Sequence, residues 1–229
     1  MSCRAVVFDF YGTLAPGRSA PEQIKARTEQ AAALGVDPER FDAELNATMD
    51  ERFRGAGGSV SGQLAWIARR LGVEPTPEAV EAATVTRLKH ERRFGQLRPD
   101  AEPVLRALHE SGLRIGVVSD CSAELPDYFA ELPIARFVDA PVFSFVTGHR
   151  KPAPENYLTC CAGLGIDSAE CVYVGDGGSN ELSGARALGM RAIHLDVTAE
   201  ADSPVYEKHS SWDGEVVTSL SEVPGLIES

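Results

Sequence analysis

Asp9, Thr13, Ser119, Asp120, Lys151, Asp176, Asn180 and Glu181 are the residues of this sequence whose types and spacing could do chemistry. Asp9 closes the apolar run Ala5 to Phe8, and Gly12 allows a tight turn that returns Thr13 towards it. A carboxylate so placed is a candidate nucleophile: it attacks an electrophilic centre and splits one hard displacement into two easier ones through a covalent intermediate. Such a reaction gathers negative charge, which Lys151 as a compact cation, with Ser119 and Thr13 as hydroxyl donors, is suited to meet. Each residue also has a plainer use. An Asp after a strand forms turns, a Ser caps helices, a lone Lys is a solvated charge, and Asn180 with Glu181 could complement a helix dipole.

The elements that must position these residues follow from hydrophobic periodicity. Ala5 to Phe8 reads as a buried strand. From Ala15 to about Phe94 the pattern is helical. One helix opens at Pro21 and ends at Gly35; a second starts at Asp37-Pro38 and carries Phe41, Leu45, Met49 and Phe53 in one stripe, stopping at the Gly55 to Gly58 loop. A third runs from Ser61 to Gly72, and a fourth starts at Thr76-Pro77. Four helices without an intervening strand predict a bundle-type insert. Beyond Leu97 strands and helices alternate, the pattern of a parallel sheet with crossover helices. The strands are Leu113 to Val118, about Pro141 to Phe145, Cys171 to Val174, Arg191 to Leu195 and a short Val216-Val217. Helices are expected over Ala101 to Glu110 and Glu155 to Leu164, with another beginning near Glu181, and Thr198 to Gly214 reads as a polar loop. The expected fold class is α/β, a doubly wound parallel-sheet (Rossmann-like) core made of residues 1–15 and 96–229, with residues 16–95 as an inserted helical bundle. In such a sheet the four strand ends converge on one edge, where ligands bind.

Four motifs in this order, Asp9-Phe-Tyr-Gly-Thr13, Ser119, Lys151-Pro152 and Gly175-Asp176 with Asn180-Glu181, resemble those of the haloacid dehalogenase (HAD) superfamily of hydrolases, and the insert lies where members of this type carry a helical cap. The resemblance implies that Asp9 is the nucleophile and that Asp9, Tyr11 and Lys151 are catalytic. It places Thr13, Ser119, Asp120 and Asn180 at the substrate. It also implies one Mg2+ shared by Asp9, Asp176 and the backbone carbonyl of Tyr11, with Glu181 holding a water; Mg2+ takes oxygen ligands and keeps several waters. Two departures stand out. Phosphatases of the superfamily carry a second Asp two residues after the nucleophile as acid and base, and here that residue is Tyr11. A phenol with a pKa of about 10 can protonate an alkoxide but is a poor base near neutrality. Tyr11 resembles the 2-haloacid dehalogenases instead, whereas Asp176 and Glu181 resemble the metal-dependent phosphatases. Asp120 stands where an amide is usual. The expected function is Mg2+-dependent hydrolysis of a small phosphorylated metabolite through an aspartyl-phosphate. The alternatives are a metal-independent 2-haloacid dehalogenase or a catalytically silent binding member. A dehalogenase also needs an Arg for the substrate carboxylate, and Arg40, Arg27, Arg52 and Arg54 compete for that part.

Composition narrows the partners. With 34 acidic and 22 basic residues, and a net charge of -12, the chain has no electrostatic footprint for nucleic acid or an anionic membrane. A small-molecule substrate is expected, acting on a monomer or homodimer. No stretch approaches the roughly 20 apolar residues of a membrane span and no presequence precedes the first strand, so a cytoplasmic location is expected. The five Cys lack metal-site spacing and read as reduced, partly buried thiols, with Cys121 beside a strand end as the possible exception. The glycines after Val174 do not have dinucleotide-binding spacing.

Overall fold

The structure, a computed structural model, describes residues 3–17, 19–196 and 212–227. The loop expected over Thr198 to Gly214 lies, as far as residue 211, outside the described residues. Six strands, β1 (Ala5–Phe8), β2 (Arg114–Ser119), β3 (Ala140–Phe143), β4 (Cys171–Gly175), β5 (Arg191–Leu195) and β6 (Glu215–Val217), form one parallel sheet in the order β3-β2-β1-β4-β5-β6. The order reverses between β1 and β4, so the crevice outside their carboxyl ends is where a ligand site forms in a doubly wound sheet.

Alternation of side chains divides the core into two layers. Val6 and Phe8 of β1, with Ile115, Val117, Val172 and Val174, pack under α6 (Ala101–Glu110) and α11 (Val223–Ile227). Ala5 and Val7, with Val118, Val142 and Tyr173, pack under α9 (Pro154–Leu164) and α10 (Glu181–Ala187). Both faces of β1 are therefore covered, which explains its unbroken apolar run. The strand expected over Pro141 to Phe145 ends two residues earlier. Ser144 opens the one-turn helix α8 (Ser144–Thr147), and its hydroxyl accepts from Cys121 N at 3.0 Å and donates to Cys121 O at 3.2 Å, tying it to the loop after β2. Beyond that loop lies the short helix α7 (Glu124–Tyr128).

The helical segment between β1 and α6 holds α1 (Ala20–Leu34), α2 (Pro38–Ala47), α3 (Met49–Phe53), α4 (Val60–Arg70) and α5 (Pro77–Phe94). Asp37 and Thr76 cap α2 and α5 as expected, accepting from Arg40 N at 2.9 Å and Ala79 N at 3.2 Å. The single helix expected from Pro38 to Phe53 is two. Thr48 leaves the helical basin at φ -97°, ψ 9°, and its hydroxyl donates to Glu44 O, a local bond that competes with the helical ladder. These helices enclose a separate cluster that includes Phe41, Leu45, Leu64, Ile67 and Ala83. No helix among the described residues is long and apolar enough to cross a membrane.

Candidate active site

Asp9, Ser119, Asp120, Lys151, Asp176 and Glu181 meet at the carboxyl ends of β1, β2 and β4, and all are buried. Asp9 follows β1. One of its oxygens accepts from Lys151 Nζ at 2.5 Å and the other from Thr13 Oγ1 at 3.1 Å. Gly12 makes the intervening turn at φ +91°, and a Cβ there would stand 2.3 Å from Asp176 Oδ2, so glycine is required for both backbone conformation and space.

Lys151 is held between two carboxylates, with Glu181 Oε2 also at 2.5 Å, and it donates to Val118 O at 3.4 Å. Glu181 Oε2 further accepts from Tyr173 Oη at 2.8 Å, and its Oε1 accepts from Gly177 N at 3.1 Å. Both oxygens of Glu181 are thus occupied by protein donors, which makes it the anchor of Lys151. Burial pushes the Asp9 carboxyl up to about 6; Lys151 opposes the rise and the Asp176 charge adds to it. Burial and the charge of Asp9 also hold Glu181 well above the carboxylate range. For Lys151 burial acts downward but is outweighed by Asp9 and Glu181, which hold the ammonium well above its usual value. Asp9, Asp176 and Glu181 each offer an oxygen within 4.8 Å of the others, a hard-oxygen cluster of the kind that holds a divalent cation.

The remaining expected residues divide. Ser119 is fully buried and its hydroxyl has no hydrogen-bond partner among the described residues, an orphan at a strand end that an incoming oxyanion would satisfy. The Asp120 carboxylate accepts from Lys151 N at 3.0 Å and from Arg150 Nε at 3.2 Å, so it shapes the Lys151 loop as well as lining the cavity. Asn180 is exposed, and Ser179 with Gly178 lines the cavity in its place. Ser179 and Asn180 both adopt φ 54°, a left-handed conformation uncommon for non-glycine residues, which turns Ser179 inward. Tyr11 also lines the cavity; its hydroxyl lies 3.1 Å from Tyr128 Oη and donates to Glu91 Oε2 of α5 at 3.4 Å. The cavity itself is about 10 Å³, the room of one water.

None of the four arginines weighed for a substrate carboxylate lines this cavity. Arg40 reaches Leu71 O, Arg27 binds Asp42 and Asn46, Arg54 binds Asp50 and Gly148 O, and the buried Arg52 donates to Leu45 O. Sequence reasoning missed Arg87, which pairs with Glu124 and donates to Ser122 Oγ, linking α5 to the loop after β2. It also missed Arg98, whose guanidinium donates to Thr13 O at 2.8 Å and Gly12 O at 3.1 Å and so braces the turn after Asp9. All five cysteines are free; Cys121 is buried and its thiol is pushed up by burial, which disfavours the thiolate.

The chain is similar to proteins already characterised. It is 29% identical over 196 residues to a glyceraldehyde 3-phosphate phosphatase of Methanopyrus kandleri, covering 84% of this chain and 83% of that one. It is 27% identical over 215 residues to a phosphoglycolate phosphatase of Salmonella paratyphi A, covering 84% and 81%. The fold matches the crystal structure of a 2-haloacid dehalogenase from Pseudomonas syringae pv. Tomato DC3000 with a TM-score of 0.71 at 23% identity, over 99% of this chain and 98% of that one. A family model described as haloacid dehalogenase-like hydrolase spans residues 3–189. With its motif residues gathered at the reversal of a six-stranded parallel sheet, the chain belongs to the haloacid dehalogenase-like hydrolases.

Proposed function

We propose that this hydrolase is a Mg2+-dependent phosphatase of a small phosphorylated metabolite, acting through an aspartyl-phosphate on Asp9. The carrying observation is the buried Asp9 with Lys151 on one oxygen and the Asp176 carboxylate in the same cluster. Phosphatase activities named for its relatives support the same class. The donor set fits Mg2+: the ligands are hard oxygens gathered within 4.8 Å, and the lack of a side chain at Gly12 lets Asp176 lie close against the turn after Asp9. Asp9, Asp176 and the backbone carbonyl of Tyr11 would hold the ion, with Glu181 behind them at Lys151. When bound, Mg2+ neutralises charge on the phosphoryl oxygens and orients them for in-line attack.

The chain's own residues do the rest. Asp9 attacks phosphorus; the bond from phosphorus to the ester oxygen breaks, and that oxygen takes the hydroxyl proton of Tyr11. Water then attacks the phosphorus and returns a proton to Tyr11, and the bond to Asp9 breaks, releasing phosphate. Lys151 and the Ser119 hydroxyl meet the charge on the phosphoryl oxygens, and Thr13 fixes the Asp9 carboxylate. Residues 16–95 act as a cap over the core of residues 1–15 and 96–229. A cavity of about 10 Å³ admits no ester until the cap moves.

The test is phosphate release from a panel of small phosphate esters with Mg2+ and with chelator. Release that persists undiminished in chelator, or in Asp9→Asn, overturns the proposal. Tyr11 favours a second reading, a metal-independent 2-haloacid dehalogenase, since a departing halide needs no proton. Halide release from 2-chloropropionate in chelator would establish it.

A further inference from the structure

Lys151 is preceded by Arg150, whose side chain is only 13% exposed although it carries a guanidinium. Arg150 faces two ways. Its Nε donates to Asp120 Oδ2 at 3.2 Å in the core, and its Nη1 donates to Asp50 Oδ1 at 3.0 Å on α3 of the cap. The guanidinium also lies over the Phe53 ring of α3, 5.1 Å from its centroid, a favourable cation–π placement. The other oxygen of Asp120 accepts the Lys151 backbone N–H at 3.0 Å. A second strand of the same contact runs from α3 to this loop, where Arg54 donates to Gly148 O at 3.2 Å and is itself paired with Asp50 Oδ2 at 2.8 Å.

We infer that Arg150 is a positioning residue that couples the place of the cap to the place of Lys151, through Asp120. The chemistry of Asp120 supports the assignment. An amide at that position could accept the Lys151 N–H, but it would leave the guanidinium facing the core without a countercharge. A carboxylate serves both donors at once. The planar fork of Arg spans two carboxylates on opposite sides, which an ammonium does not do in the same geometry. With the cap in place, Asp50 and Phe53 hold the guanidinium, Asp120 is fixed between Arg150 and the Lys151 amide, and Nζ of Lys151 is directed at Asp9. With the cap away, Arg150 loses its α3 partners and the Lys151 loop loses one of its restraints. The cation that receives the phosphoryl charge is thereby held more firmly under a closed cap than under an open one.

The kinetic consequence rests on the proposed phosphatase reading, whereas the structural consequence does not, so two measurements are paired on the full-length protein. Hydrogen exchange of the Lys151 amide is read in wild type, Arg150→Gln and Asp50→Asn, with thermal unfolding as the folding control. The expected result is about tenfold faster exchange at Lys151 in both variants, including the one whose change lies on the cap, with the unfolding temperature held. Unchanged exchange in Asp50→Asn overturns the inference whether or not the protein is a phosphatase. In the Mg2+-loaded protein acting on p-nitrophenyl phosphate, Arg150→Gln is expected to lower kcat by about 10- to 100-fold, Arg150→Lys to recover part of it, and the double variant Asp50→Asn/Arg150→Gln to be no slower than Arg150→Gln alone. Additive losses, or wild-type kcat in Arg150→Gln, overturn it. A wild-type protein inert to phosphate esters overturns the phosphatase reading and leaves the exchange measurement to decide this one.

Discussion

Asp9 is a buried carboxylate whose charge is opposed by desolvation and by Asp176, and supported by one ammonium and one hydroxyl. Asp9→Asn, which replaces the proposed nucleophilic carboxylate by an amide, is expected to lower phosphate release at least about a thousandfold, checked by a phosphate assay against wild type. In the proposed mechanism Tyr11 sets the choice of leaving group. A phenol can protonate a basic alkoxide, but a nitrophenolate leaves without help, so Tyr11→Phe should slow alkyl esters by about 100-fold while hydrolysis of p-nitrophenyl phosphate changes little. Equal loss on both substrates would show that the hydroxyl is no acid. Asp9 and Ser119 stand where apolar runs end, Thr13 follows the turn at Gly12 and Lys151 lies in the loop beyond its strand, so their meeting was legible in the chain. The use of Asp120 and Glu181 was not, because a carboxylate's partner, here Arg150 for one and Lys151 with Tyr173 for the other, is chosen by residues distant in the chain.

At the scale of elements, caps and periodicity carried the most information. Asp37-Pro38 and Thr76-Pro77 start helices because their side chains accept the first free N–H groups, and Thr76→Ala should cost about 1 kcal/mol in denaturant unfolding. The apolar stripe from Phe41 to Phe53 is buried at Phe41 and Leu45 but only half-buried at Met49 and Phe53, which lie past the break at Thr48; that break arises from a side-chain bond to Glu44 O rather than from hydropathy. Phe41 is fully buried in the helical cluster, and Phe41→Ala is expected to destabilise the protein by about 3–5 kcal/mol. A loss below 1 kcal/mol would mean that the helices repack around the gap. The left-handed pair Ser179-Asn180 was equally hidden: sequence favours Asn as the residue facing substrate, and the backbone turns Ser179 inward instead.

For the whole molecule, the decisive property is an excess of buried acid at one edge of the sheet. Asp9, Asp176 and Glu181 are balanced there by one ammonium, so a divalent cation bound to the native state and not to the unfolded chain raises stability by mass action. Mg2+ at about a hundred times its dissociation constant should raise the unfolding temperature by on the order of 5 °C, and Asp176→Asn should abolish the increment. An equal increment in both proteins would place the ion elsewhere. The sequence by itself determined the α/β class, the helical insertion and the order of the four motifs, because strand burial and helix amphipathicity are periodic properties of neighbouring residues. Tertiary structure alone decided which charges meet. The strand reversal between β1 and β4 brings Asp9 beside Asp176, Arg98 braces the turn that follows Asp9, and Arg150 joins α3 to the Lys151 loop through Asp120. Those pairings depend on approach across the sheet and between layers, where a change of a few ångströms exchanges one partner for another and no local pattern in the chain records the choice.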